Sequence, residues 1–103
     1  MKISENVECS WFAFPIIVRK DAPFSRLDLA NFLDKNGIET RPVVAGNLAK
    51  QPATSKFSEI SFALLEGADF IHEYGLYIGI HPTTKSENIV KVTKIINNFC
   101  EQW

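Results

Sequence analysis

Between Glu39 and Pro52 the chain reads ETRPVVAGNLAKQP, and three side chains there have the chemistry of a ligand contact. Arg41 carries a forked guanidinium that can clamp a carboxylate or a phosphate through two parallel hydrogen bonds. Asn47 and Gln51 each donate and accept through one amide, which suits a sugar or a carboxylate. Gly46 permits tight backbone geometry between them. The plainer alternative is a solvated strand-end charge at Arg41 and an ordinary turn residue at Asn47. The residue types alone leave both readings open.

No second half of an active site accompanies this loop. The chain lacks Gly-x-Gly-x-x-Gly, a phosphate-binding Gly-Lys-Ser/Thr, Gly-x-Ser-x-Gly and His-Glu-x-x-His. Cys9, His72, His81 and Cys100 have no zinc-type spacing, and they assemble no nucleophile with a base and an orienting acid. His72 falls in a short helix as a surface or half-buried residue. His81 precedes Pro82, where the chain is pushed out of helical geometry and a strand ends. A hydrolase acting alone is therefore not expected; neither a catalytic residue nor a metal ligand is assigned.

Composition narrows the partners. The 103 residues are of ordinary globular make-up, 46% hydrophobic and 22% charged, the size of one domain. A formal net charge of -1, with no basic block, argues against nucleic acid and against an anionic membrane surface. MKISENVECSWF is too acidic and polar for a signal peptide, and no apolar run approaches the roughly 20 residues of a membrane span. Two cysteines near opposite ends then read as reduced thiols of a cytoplasmic protein.

The elements that must position the loop come from periodicity and punctuation. Ser10 to Val18, SWFAFPIIV, reads as a strand with Phe12, Phe14 and Ile16 on one face, and Pro15 puts it at a sheet edge or a bulge. Ser25 and Asp28 mark a helix start, Leu29, Phe32 and Leu33 its buried stripe, and Asn36-Gly37 its end. Ile38 to Val44 follows as a strand, so strand, helix and strand form a crossover unit. Ala45 to Glu66 is irregular. A short helix is expected over Ala63 to Tyr74, a third strand over Leu76 to Ile80, and a capping box at Thr84 and Glu87. A last helix carries Ile89, Val92, Ile96, Phe99 and Trp103 at helical spacing.

The SWFAFPIIV strand, the helix ending LDKNGIETRP, the LYIGIHP strand and turn, and the helix after Thr84 together resemble one family. The chain is similar to the C-terminal small domain of the DegT/DnrJ/EryC1/StrS nucleotide-sugar aminotransferases. The stretch GIETRPVVAGNLAKQP, Gly37 to Pro52, resembles the lipopolysaccharide-biosynthesis branch that acts as 3-dehydratases on 4-keto-6-deoxy sugar nucleotides. Related 4-aminotransferases carry a similar loop, so dehydratase and aminotransferase both stay open.

The resemblance implies an α+β fold. It is the small domain of the aspartate-aminotransferase-like pyridoxal-phosphate enzymes, with a three- to four-stranded sheet and helices mainly on one face. Residues 1–103 would be that single domain, an excised domain or a short reading frame, without the large cofactor-binding domain. It further implies a homodimeric, cytoplasmic parent that uses pyridoxal or pyridoxamine phosphate, a nucleotide-linked sugar, and an amino donor or a reductase. Arg41 would then meet an anionic group of the substrate or amino donor, with Asn47 and Gln51 hydrogen-bonding nearby. Lys50 and His81 do not lie in the matching cofactor motif and take no cofactor role. The rival reading is a standalone, non-catalytic α/β binding module. Adding pyridoxal phosphate to the pure chain is expected to leave its absorbance spectrum unchanged; a near-stoichiometric spectral shift would show that the chain binds the cofactor itself.

Overall fold

In the computed structural model, residues 4–57 and 64–103 are described. They form β1 (Ala13–Ile17), α1 (Arg26–Lys35), β2 (Thr40–Pro42), α2 (Glu66–Tyr74), β3 (Gly75–Gly79) and α3 (Ser86–Cys100). Two 3₁₀ turns, Leu48–Lys50 and Thr54–Lys56, lie between β2 and α2.

The sheet order is β1-β3-β2, and β3 is antiparallel to both neighbours. β1 and β2 therefore run parallel, as a strand–helix–strand crossover requires, but they are not neighbours. The expected crossover unit is split by β3. β1 lies at an edge, which is where a proline that cannot donate to the ladder is tolerated. β2 is shorter than the expected Ile38 to Val44, since Pro42 has no N–H with which to extend the ladder.

α1 forms between two strong stop signals. The Ser25 hydroxyl accepts from the Asp28 N–H at 3.2 Å, and the Asp28 carboxylate accepts from the Ser25 N–H at 2.8 Å. At the other end Gly37 takes φ +76°, and the N–H groups of Gly37 and Ile38 close onto the carbonyls of Asp34 and Leu33. The Asp34 carboxylate then receives the Thr40 N–H at 3.1 Å, tying the helix to β2.

Register decides the two sheet faces. Phe14 and Ile78 are partners, as are Ile16 and Leu76, and this face meets α1 and α3. Leu29, Leu33, Leu76, Ile78, Val18 and Phe99 are the buried hydrophobic core. The Phe99 ring lies 4.8 Å from Phe24 and 5.0 Å from Phe32. Ala13, Pro15, Ile17, Tyr77 and Arg41 belong to the opposite face.

Four further expectations are corrected. Phe12 lies outside β1 and is 84% exposed, with its ring against Tyr77 rather than beside Phe14. α2 begins at Glu66; Ala63, the expected start, lies outside the described residues. No capping box opens α3: its N-cap is Lys85, without a side-chain hydrogen bond. The Thr84 hydroxyl instead accepts from the His81 N–H at 3.2 Å, committed to the preceding turn. Of the α3 stripe, Phe99 is buried, whereas Ile89 and Trp103 stay exposed.

The chain is extended for its length. Its radius of gyration is 16.2 Å, against about 13 Å for a compact domain of this size. Phe14, Val44, Leu48, Leu64 and Ile89 are each more than half exposed. Leu33, fully enclosed by the core, is the position with least room to relax. Leu33→Ala is expected to cost about 2–5 kcal/mol, read as a lowered urea midpoint with little change in slope; an unchanged midpoint would show that this core does not hold the fold.

Candidate functional site

The loop after β2 is held by backbone geometry and by one carboxylate. Ala45 and Gly46 adopt φ of +57° and +50°. The left-handed region costs Ala45 on the order of 1 kcal/mol. Gly46 has no latitude at all: a Cβ there would lie 2.5 Å from Cα and Nδ1 of His72. The loop thus crosses α2 at a distance that only glycine permits.

One residue farther on, Asn47 is 3% exposed. Its Oδ1 accepts from the Ala49 N–H at 2.9 Å and so caps the first 3₁₀ turn. Its Nδ2 donates to Asp69 Oδ1 at 2.6 Å. Lys50 Nζ reaches the same oxygen at 2.7 Å. Asp69, on α2, therefore gathers two loop residues, and the Lys50 ammonium and then the Asn47 amide hold its carboxyl below the usual range. Gln51 also turns inward, with Nε2 donating to the Ala45 carbonyl at 3.0 Å.

Arg41 stands apart from this network. It lies on β2 opposite Tyr77, exposed, with Nε and Nη2 at 3.1 and 2.6 Å from Glu39 Oε1. Phe12, Ala13, Glu39, Arg41, Tyr77 and Gly79 line an open hollow of about 250 Å³ on this face of the sheet. The Phe12 and Tyr77 rings meet edge to face at 6.1 Å.

The three residues singled out from the sequence are thus not one cluster. Arg41 joins Glu39 and Tyr77, Asn47 joins Asp69 and Lys50, and Gln51 braces the loop. Tyr77 and Glu39 escaped the sequence reading, although strand alternation carried the signal. Tyr77 lies between Leu76 and Ile78 and must face away from them, and Glu39 is two residues from Arg41. His81 Nδ1 accepts from the Thr83 N–H at 3.2 Å and belongs to its turn. Cys9 and Cys100 are exposed free thiols. Among the described residues no cluster of three His, Cys, Asp or Glu could hold a metal.

Pyridoxal phosphate needs convergent donors for its phosphate and a carboxylate for its ring nitrogen. Among the described residues every buried side-chain polar atom has a partner, and Lys50 and Asp69 are committed to each other. The described residues do not fit that cofactor.

Comparison with known proteins supplies the rest. The DegT/DnrJ/EryC1/StrS aminotransferase family matches residues 1–97. GDP-4-keto-6-deoxy-D-mannose 3-dehydratase of Yersinia pseudotuberculosis is 36% identical over 93 residues, covering 89% of this chain and 24% of that protein. Lipopolysaccharide biosynthesis protein RfbH of Salmonella typhimurium is 32% identical over 96 residues, 93% of this chain and 22% of its own length. The chain thus spans about a quarter of the curated relatives it matches. The solved Escherichia coli GDP-4-keto-6-deoxy-D-mannose 3-dehydratase with bound hydrated PLP superposes with a TM-score of 0.75 at 29% identity. That match covers 84% of this chain and 22% of that one. The α+β fold seen here is the fold of that part of the solved enzyme.

The Asp69 anchor has a pH signature. A depressed folded pKa contributes stability in full above the unfolded carboxylate value of about 3.9. That contribution is lost as pH falls through the lower folded value. On acid titration the Asn47 side-chain amide signals are expected to hold their folded positions to below pH ~3.9 and then collapse; a midpoint at or above that value would show that Asp69 is not the anchor.

Proposed function

Because the chain belongs to the DegT/DnrJ/EryC1/StrS aminotransferase family, we propose that residues 1–103 are the C-terminal small domain of a nucleotide-sugar 3-dehydratase. The parent would use pyridoxal or pyridoxamine phosphate and act on a 4-keto-6-deoxy sugar nucleotide in lipopolysaccharide sugar biosynthesis. The observation that carries this reading is the 36% identity over 93 residues to a 3-dehydratase, nearly the whole length of the chain. The exposed apolar side chains support it in a second way, because a surface with this much uncovered hydrocarbon suits a domain that packs against another. The parent would be a cytoplasmic homodimer that works with a reductase or an amino donor. Among the described residues no helix is long and apolar enough to cross a membrane.

The cofactor, when bound by the rest of the parent, delocalises the negative charge that develops on the substrate carbon. The residues here act on the substrate side. Arg41 presents its guanidinium on the open sheet face, in contact with Glu39. In the parent the loop from Gly46 to Gln51, held by Asp69 and by the Ala45 carbonyl, would stand as a wall on the substrate side. Asn47 and Gln51 serve through that wall, since their amides are committed to Ala49, Asp69 and Ala45. Their contribution to substrate binding is positional.

The test is an assay of the parent protein on a nucleotide-linked 4-keto-6-deoxyhexose with pyridoxal phosphate and an amino donor. Loss of the C3 hydroxyl is the expected outcome. An amino sugar as sole product identifies a transaminase, and no conversion overturns the reading. In the same parent, Arg41→Ala is expected to lower kcat/KM by about tenfold or more with an unchanged unfolding midpoint. Unaltered kcat and KM would reduce Arg41 to a surface charge.

A further inference from the structure

The segment that follows β2 stays in contact with the fold beyond the end of the sheet. α2 runs straight into β3, Glu66–Tyr74 into Gly75–Gly79, and residues 40–50 lie antiparallel along both. Within the sheet, Thr40, Arg41 and Pro42 face Ile78, Tyr77 and Leu76. At the junction Val43 packs on Gly75, where a Cβ would come within 2.9 Å of Val43 Cγ2 and 2.5 Å of the Ile71 carbonyl oxygen. Farther on, Gly46 passes His72, and Asn47 and Lys50 reach Asp69. One side rises from 40 to 50 as the other falls from 78 to 69. A pairing that starts as a strand ladder thus continues along a helix.

The contacts differ in kind along this track. Ladder pairing holds Arg41, and glycine at 75 and at 46 lets the two sides approach closely. Apolar burial adds little farther out, because Val44 and Leu48 are each more than half exposed. The far end therefore depends on Asp69, whose Oδ1 takes the Asn47 amide at 2.6 Å and the Lys50 ammonium at 2.7 Å. Of the two, the Asn47 bond is the stronger constraint. Asn47 is buried, so losing its acceptor strands a donor, whereas the Lys50 pair is partly exposed and screened. Asn47 Oδ1 passes the constraint to the Ala49 N–H, and Gln51 Nε2 closes the loop on the Ala45 carbonyl. All these partners belong to the chain itself, so α2 sets the shape of the loop.

We propose that Asp69 is a positioning residue for the parent's reaction. As the clasp at the end of this track, it fixes residues 45–51 relative to Arg41, and it acts through Asn47 rather than on the substrate. The assignment deepens the nucleotide-sugar reading and rests on it for the reaction, while the clasp itself is read in this chain. The loop is then a preset wall that moves with α2 and β3, not a lid that folds over on binding.

Asp69→Ala and Asp69→Asn separate the hydrogen bond from the charge. The substituted amide still accepts from Asn47 but no longer pairs with Lys50. In the full chain labelled with ¹⁵N, Asp69→Ala is expected to speed amide hydrogen exchange at Ala49 and Gln51 by about tenfold, the scale of one buried hydrogen bond. The core amides of Leu33 and Leu76 are expected to keep their protection. Asp69→Asn is expected to stay within about threefold of the unmodified chain. In the parent, Asp69→Ala is expected to lower kcat/KM on a nucleotide-linked 4-keto-6-deoxyhexose by about tenfold. Asp69→Asn is expected to restore most of that loss, at an unchanged unfolding midpoint.

Gly46→Ala gives an independent arm, because its Cβ would meet His72 at 2.5 Å and displace the loop without touching Asp69. It is expected to reproduce both the faster exchange at Ala49 and the fall in kcat/KM. Unchanged exchange at Ala49 in Asp69→Ala, or an Asp69→Asn variant as impaired as Asp69→Ala, would overturn the clasp. A working parent that keeps its full kcat/KM with a loosened loop would overturn the positioning role alone. A parent that converts no such sugar, with the exchange pattern present in the chain, would refute the nucleotide-sugar reading alone.

Discussion

The central strand imposes the constraint on which the rest of the structure depends. β3 is sandwiched between β1 and β2, so all five of its residues, Gly75–Gly79, pair on one side or both. Its period of two sends Leu76 and Ile78 into the helices and Tyr77 to the opposite face. Slipping the register by one residue would bury Tyr77 in the core and expose both aliphatic side chains. The core and the open hollow are thus two sides of one alternation. Arg41 inherits its position from the same pairing, because β2 is anchored opposite Tyr77.

A second constraint joins the loop to the fold. Asp69 on α2 takes one hydrogen bond from Asn47 and one ion pair from Lys50, while Gly46 lets the backbone pass against His72. These contacts are individually modest, and the Lys50 pair is partly exposed, where screening weakens it. The buried Asn47 amide is the more demanding partner, because removing Asp69 would leave a buried donor unsatisfied. The loop is therefore positioned by polar contacts and by the steric demand at Gly46.

Residues whose information is local were readable from the chain alone. Ser25 and Asp28 marked the start of α1, Asn36 and Gly37 marked its end, and Pro15 marked an edge strand; each states its own backbone requirement. Thr84 and Glu87 matched a capping pattern equally well, yet the Thr84 hydroxyl serves the turn from His81, a competitor that the pattern does not contain. The ligand-like reading of Asn47 met a similar competitor. An amide suited to a sugar is equally suited to a carboxylate 22 residues away.

Element types, the two ends of α1 and the family resemblance were set by the order of residues, because propensity, capping and hydrophobic period act over a few positions. The insertion of β3 between β1 and β2, the pairing of Asn47 with Asp69, and the meeting of Phe12, Tyr77, Arg41 and Glu39 around one hollow came only from three-dimensional packing. Each joins segments distant in the chain, and which distant segments meet depends on how every apolar face is covered at once.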